Sequence, residues 1–240
     1  MEIKKLDLID CHNRIKPFIH NTPVLTSSYI NEISGAEVYF KCENFQKMGA
    51  FKMRGASNAI LRLSNEQKNN GVVTHSSGNH AQAISLAAKK IGIKAYIVMP
   101  SNAPEIKKEA VKGYGGELIE CESNLKAREA AAKDVVHSKS ATFIHPSNDI
   151  EVILGQGTAC KELLEYNNLI EHVLVPVGGG GLIAGSALAA KYFGKNRPKS
   201  KHTPNSEIYY ASIGVLLGYW IDVLHTGLKR NATLLHTSHV

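Results

Sequence analysis

The sequence predicts an α/β fold of mainly parallel sheets with helices on both faces. Three observations carry that expectation. Short apolar runs alternate with helical stretches, Pro or Gly stands at the junctions, and the composition is that of a globular chain, 43% hydrophobic and 20% charged over 240 residues. Such a composition excludes disordered and collagen-like chains. The length suits one large α/β domain or two small ones.

The first apolar run, Val38-Tyr39-Phe40, precedes a helix expected from about Lys52 to Leu63. Val72-Val73-Thr74 precedes a second, from about Asn79 to Ile91. Ala95 to Met99 leads to a helix after Pro104, and Glu117 to Cys121 to an alanine-rich one through His137. Ala141 to Ile144 is followed by a helix after Asn148; Val173 to Val177 runs through Gly178 into Leu182 to Phe193, and Ile208 to Ala211 reads as the next strand. No repeat period or low-complexity segment interrupts this order.

Charge and cysteine usage narrow the partners. Lys and Arg total 28 against 21 Asp and Glu, but the basic residues are dispersed as pairs such as Lys89-Lys90 and Lys107-Lys108. Dispersed pairs are solvated faces rather than a nucleic-acid stripe, so no nucleic-acid partner is expected. Cys11, Cys42, Cys121 and Cys160 form no CxxC pair, which predicts reduced thiols and no zinc site. The start MEIKKLDLID lacks the apolar run of a signal peptide, and the longest uncharged apolar stretches, Gly178 to Ala190 and Ala211 to Ile221, are too short to span a bilayer. A cytoplasmic protein without membrane partners is expected.

Ligands of parallel sheets bind where strands end and helices begin. Three such junctions carry chemistry. Gly178-Gly179-Gly180-Gly181 follows an apolar strand and opens a helix, so successive N–H groups converge at a positive helix end, a nest for a phosphate. A P-loop is excluded because no Gly-Lys-Ser/Thr follows. A dinucleotide site is weakened because no acid ends the strand Ile208 to Ala211; a flexible linker is the bland alternative. His75-Ser76-Ser77-Gly78-Asn79-His80 gathers two hydroxyls, an amide and an imidazole at another helix start. Each residue alone reads as a cap; together they suit a carboxylate. At the third junction Lys52 opens a helix, where a cation is out of place. The helix dipole and neighbouring Arg54 are both expected to lower its pKa, which suits Schiff-base chemistry, and Phe51 offers an apolar wall. A near-neutral lysine, a phosphate nest and a carboxylate loop on one sheet converge on pyridoxal phosphate acting on an amino acid.

The same residues resemble the fold-type II (tryptophan synthase beta-like) pyridoxal-phosphate enzymes, in particular the serine racemase and serine/threonine dehydratase family. The runs NTPVLTSSYIN, VYFKCENFQKMGAFKMRGASNAI, VVTHSSGNHAQAISLAAK, AYIVMP, HPSNDIEVILGQGT and VPVGGGGLIAGSALAAK carry the resemblance, collinear from about His12 to Lys195. It implies that Lys52 is the Schiff-base lysine and general base, with Phe51 packed at the cofactor and Asn79 bonded to its ring oxygen. It implies that Gly178, Gly179, Gly180, Gly181 and Leu182 cradle the phosphate. Ser76, Asn79 and His80 would surround the substrate carboxylate, and Ser77 would be the second acid/base, opposite Lys52. Removal of the α-proton and loss of the β-hydroxyl would yield a keto acid and ammonia; reprotonation by Ser77 would invert the α-carbon instead. The substrates implied are L-serine, L-threonine or hydroxyaspartate, and the assembly a homodimer. The division implied is a large domain from residues 1–70 and 146–240 and a small one from 71–145.

In the racemase branch a nucleotide such as ATP binds at a subunit interface, and Ser27, Ser28, Tyr29, Lys47, Gln82 and Tyr114 match positions associated with it, while Met48 replaces a hydroxyl residue there. The family's divalent metal (Mg or Ca) has no ligands here, nor does the serine that meets the pyridine nitrogen have a counterpart. The resemblance stops after about Ser200, leaving the large domain incomplete. His225, His236 and His239 in the tail match no standard metal spacing. Two rival readings follow: a truncated, catalytically impaired family member without activity of its own, and a nicotinamide-dependent oxidoreductase.

Overall fold

The computed structural model describes residues 2–194, 207–212 and 232–236. The chain opens with α1 (Lys5–Ile15), the short strand β1 (Val24–Leu25), α2 (Ser28–Ser34) and β2 (Tyr39–Cys42). After two 3-10 turns come α3 (Lys52–Leu61) and α4 (Asn65–Asn70). Strands and helices then alternate as β3 (Val72–His75), α5 (Asn79–Ile91), β4 (Ala95–Pro100), α6 (Glu105–Gly113), β5 (Glu117–Cys121), α7 (Leu125–Lys139) and β6 (Thr142–Phe143). The helix α8 (Ile150–Tyr166), β7 (His172–Val177), α9 (Gly181–Phe193), β8 (Glu207–Ser212) and β9 (Ala232–His236) complete the order.

The strands form two sheets. The first runs β1-β2-β9-β7-β8 and is parallel except for β1; the second runs β5-β4-β3-β6 and is parallel throughout. Val72, Val73 and Thr74 on β3 and Ala95 to Met99 on β4 are all buried, the continuous burial of strands covered on both faces. On one face Ile97 and Met99 pack with Ala81, Ile84 and Ala88 of α5; on the other Val73, Tyr96 and Val98 pack with Ala132 and Val135 of α7.

The helix expected to reach Leu63 ends at Leu61, because Ser64 and Gln67 form a capping box that starts α4 anew. The strand β9 lies between β2 and β7, although its run ATLLH carries no alternation that marks a strand. His225 and His239 lie outside the described residues. The four cysteines are free, and burial pushes the Cys11 and Cys160 thiols up to about 12.

What positions the junctions is a glycine seam between helices. A Cβ on Gly155 of α8 would stand 2.5 Å from Gly55 Cα on α3, and one on Gly157 would stand 2.6 Å from the Gly185 carbonyl oxygen on α9. The backbones of three helices therefore touch, and Gly55 N donates to Gln156 Oε1 across the first contact (3.2 Å). Through α8, the start of α3 and the start of α9 are held in one fixed relation.

Candidate active site

Three helices, α3, α5 and α9, begin at the junctions singled out by the sequence. None has a side-chain cap, and none carries an acid in its first turn. Every other α-helix among the described residues has one or both. Ser27, Ser64, Asn124 and Asp149 cap α2, α4, α7 and α8, and Asp7 and Glu105 lie in the first turns of α1 and α6. Three helix ends thus keep their partial positive charge uncompensated, which favours bound anions.

Gly180 is the N-cap of α9 at φ +88°, a conformation that penalises any side chain. Cβ atoms at Gly178 and Gly180 would meet nothing within 4 Å, so the loop has open space before it. Gly179 and Gly181 instead lie against Ser147: a Cβ at Gly179 would stand 2.5 Å from its Oγ, one at Gly181 3.1 Å from its Cα. Leu182 is buried, in one apolar cluster with Phe51, Val173 and Val175. This cluster links the glycine loop to the residue before Lys52.

Lys52 Nζ donates to the Pro146 carbonyl (2.7 Å) and stands 5.2 Å from the centre of the Phe51 ring. Burial lowers its pKa to about 8. The expectation that Arg54 contributes is corrected. Arg54 turns away into the core, fully buried, and bonds Glu43 and Glu162 at 2.8 Å. Its charge is neutralised there, so desolvation acts on Lys52 instead.

At the carboxylate loop, Ser76 Oγ accepts from Gly78 N (3.2 Å), and Ser76, Ser77 and Asn79 are half-buried. His80 is 2% exposed, and burial, with the Lys52 cation beside it, pushes its pKa down to about 3. Neither ring nitrogen meets hydrogen-bond geometry among the described residues; the nearby Ile144 carbonyl already accepts from Thr74 Oγ1 (2.8 Å).

The residues matched to a nucleotide site lie on α2, in the turn before α3, on α5 and at the end of α6. Ser27 accepts from Ile30 N within α2, Ser28 is exposed, and Tyr29 is 68% exposed. Lys47 lies beside Lys90, and its pKa is lowered by burial and by that neighbour. Gln82 sits in the first turn of α5 and Tyr114 at the end of α6. Among the described residues no group of three or more His, Cys, Asp or Glu is disposed to hold a metal, and no helix is long and apolar enough to cross a membrane.

The arrangement offers a part-buried amine with a pKa of about 8, a glycine loop with open space before it and an uncapped helix start. Pyridoxal phosphate fits this set: its phosphate and aldehyde have matching partners in the space before Gly178 and Gly180 and at Lys52. The reading from sequence missed Pro146 and Ser147, the turn between amine and nest. Its only local signal was the run HPSND before a helix.

Comparison with known proteins agrees with this chemistry. Residues 15–209 match the family described as pyridoxal-phosphate dependent enzyme. A serine racemase of Dictyostelium discoideum is 50% identical over 190 residues, 79% of this chain and 59% of that protein. A beta-hydroxyaspartate dehydratase of Paracoccus denitrificans is 50% identical over 182 residues, 76% of this chain and 58% of its own. The crystal structure of a pyridoxal 5'-phosphate-dependent aspartate racemase superposes with a TM-score of 0.83 at 28% identity, covering 100% of this chain and 97% of that one. The chain thus spans under two thirds of the length of the curated relatives it matches.

Proposed function

The chain belongs to the pyridoxal-phosphate dependent enzymes of fold type II, related to the serine racemases and hydroxy-amino-acid dehydratases, and from that membership we propose that it acts on a small hydroxy-amino acid. The reaction is racemisation of serine, elimination of the β-hydroxyl to a keto acid and ammonia, or both. One observation carries this reading: an amine whose pKa is about 8 opens one of three uncapped, acid-free helices, and the Pro146–Ser147 turn joins it to the glycine loop that opens another.

In this reading the N–H groups of Gly178 to Gly181 and Leu182 hold the phosphate, and Lys52 holds the aldehyde carbon. Phe51 packs at the ring, and Asn79 bonds the ring oxygen. The first turn of α5 receives the substrate carboxylate through Ser76, Asn79 and the backbone N–H of His80. The bound group supplies a sink for the electron pair left at the α-carbon. Once the substrate's amine has displaced it from the aldehyde carbon, Lys52, with a pKa of about 8, would be free to take the α-proton. Elimination needs that one base. Inversion needs Ser77 as well, to return a proton to the opposite face. Residues 71–145 form the unit that closes over the substrate, and the chain pairs as a homodimer.

The test is direct. Pyridoxal phosphate is added, the product reduced with borohydride, and the pyridoxyl mass mapped by peptide mass spectrometry. It is expected on Lys52, and its absence overturns the cofactor reading. L-serine is then supplied, with keto acid and D-serine as readouts; labelling without either product ends the catalytic reading. Ser77→Ala is expected to lower racemisation roughly 100-fold more than elimination. Equal loss of both removes the second base.

A further inference from the structure

The turn between β6 and α8 is built around one imidazole. His145 Nδ1 accepts from Ser147 N (3.1 Å) and from Asn148 N (2.7 Å). Both donors are backbone N–H groups, so Nδ1 is unprotonated and the ring proton sits on Nε2. Pro146 has no N–H, and the Asp149 carboxylate is engaged with Glu151 N and Val152 N at the start of α8. The His145 ring is therefore the side-chain acceptor for the two free donors of this turn.

From the turn, two contacts reach the site. The Pro146 carbonyl accepts from Lys52 Nζ, and Ser147 fills the space beside Gly179 and Gly181. We propose that His145 is a positioning residue, whose ring acceptor sets the turn that joins the Lys52 amine to the glycine loop. The inference rests on the reading of Lys52 and the loop as the cofactor site. The ring meets His75 and Phe143 edge-on at 6.2 Å each and borders a cleft of about 410 Å³. Packing leaves it room, and its two accepted bonds set its orientation.

Two amide substitutions separate an acceptor from a mere filler. In His145→Asn the side-chain oxygen stands where Nδ1 stood; in His145→Gln it reaches the place of Nε2, away from the turn. Hydrogen exchange at the Ser147 and Asn148 amides is measured without cofactor, together with the acetylation rate of Lys52. The dissociation constant for pyridoxal phosphate is read from borohydride-fixed label on Lys52. His145→Asn is expected within about twofold of wild type throughout. His145→Gln is expected to exchange about tenfold faster and to bind about tenfold more weakly, at an unchanged unfolding midpoint. His145→Phe, which keeps the ring contacts and offers no acceptor, makes the same comparison should His145→Gln not fold. The proposal is overturned if the acceptor-free variant matches wild type, or if His145→Asn is as impaired as it is. Should the wild-type chain take no label at Lys52, the cofactor reading fails, and exchange and acetylation alone decide the role of His145.

Discussion

Lys52 and Arg54 stand two residues apart on α3, and the fold treats their charges in opposite ways. Arg54 is completely buried, bonded twice to Glu43 and twice to Glu162 at 2.8 Å. Burial works against its charge, but the two carboxylates outweigh it and hold the guanidinium above its ordinary range. Glu162 is held well below the carboxylate range in spite of burial, by bonds from His12 and Arg54 and by the charge of Lys41. Lys52 has no carboxylate partner among the described residues; a backbone carbonyl receives its amine, and burial alone brings it to about 8. The same interior thus keeps one cation permanently charged and leaves the other poised to lose its proton. The difference is the supply of counter-charge. A third cation, Arg62 at the opposite end of α3, has a side chain 55% exposed beside Glu151 and serves as a solvated reference.

The largest effect is expected from Arg54→Met, which takes the ion-pair partner from the buried Glu43 and leaves Glu162 only Lys41 and His12. A cost of about 3–5 kcal/mol in urea unfolding is expected. A loss no greater than that of Lys52→Met would break the contrast. Next is Gly155→Ala, which forces a methyl to within 2.5 Å of Gly55 Cα and spreads the seam holding α3. Unfolding should be easier by about 1–3 kcal/mol; an unaffected midpoint would show that the seam does not fix the helix.

Lys52→Met should shift stability at pH 7 by less than about 1.5 kcal/mol, with no loss required, since a part-buried ammonium that has no counter-charge among the described residues gives way to an apolar chain. The sign with pH follows from linkage. The folded pKa is about 8, below the ordinary lysine value, so the unfolded chain binds more protons between the two. Wild-type stability should therefore rise from about pH 8 towards pH ~10.4, and Lys52→Met should lose that rise. In the folded chain Lys52 acetylation should follow a midpoint near 8; an ordinary lysine midpoint would contradict its burial. The smallest effect is Arg62→Gln, within about 0.5 kcal/mol, as for other exposed pairs. A larger loss would mean that exposure does not separate the three cations.

Much of this was legible in the sequence where the cause is local. The helix Asn79–Ile91 was read to the residue, because the polar turn before it and the αL glycine Gly92 after it are short-range signals. The glycine run before α9 was legible for the same reason. The direction of the Lys52 shift was anticipated, but its cause was not. Arg54 is neutralised by Glu43 and by Glu162, the latter 108 positions along the chain, and nothing near Arg54 in sequence reports that pairing. Gly155 and Gly157 looked like ordinary helix residues until their partners on α3 and α9 came into contact. His145 and Pro146 carried no role, since the amine they serve lies 94 positions from Pro146.

By itself the sequence determined the alternation of strands and helices and the three junctions at which α3, α5 and α9 start. These depend on backbone preferences and caps acting over three or four residues. Only the tertiary structure decided which cation meets a carboxylate, how deeply the Lys52 amine is desolvated, and which turn receives it. Dielectric environment and charge pairing are set by whatever packs around a group, and in this chain the groups that pack around Lys52 and Arg54 come from far along the sequence.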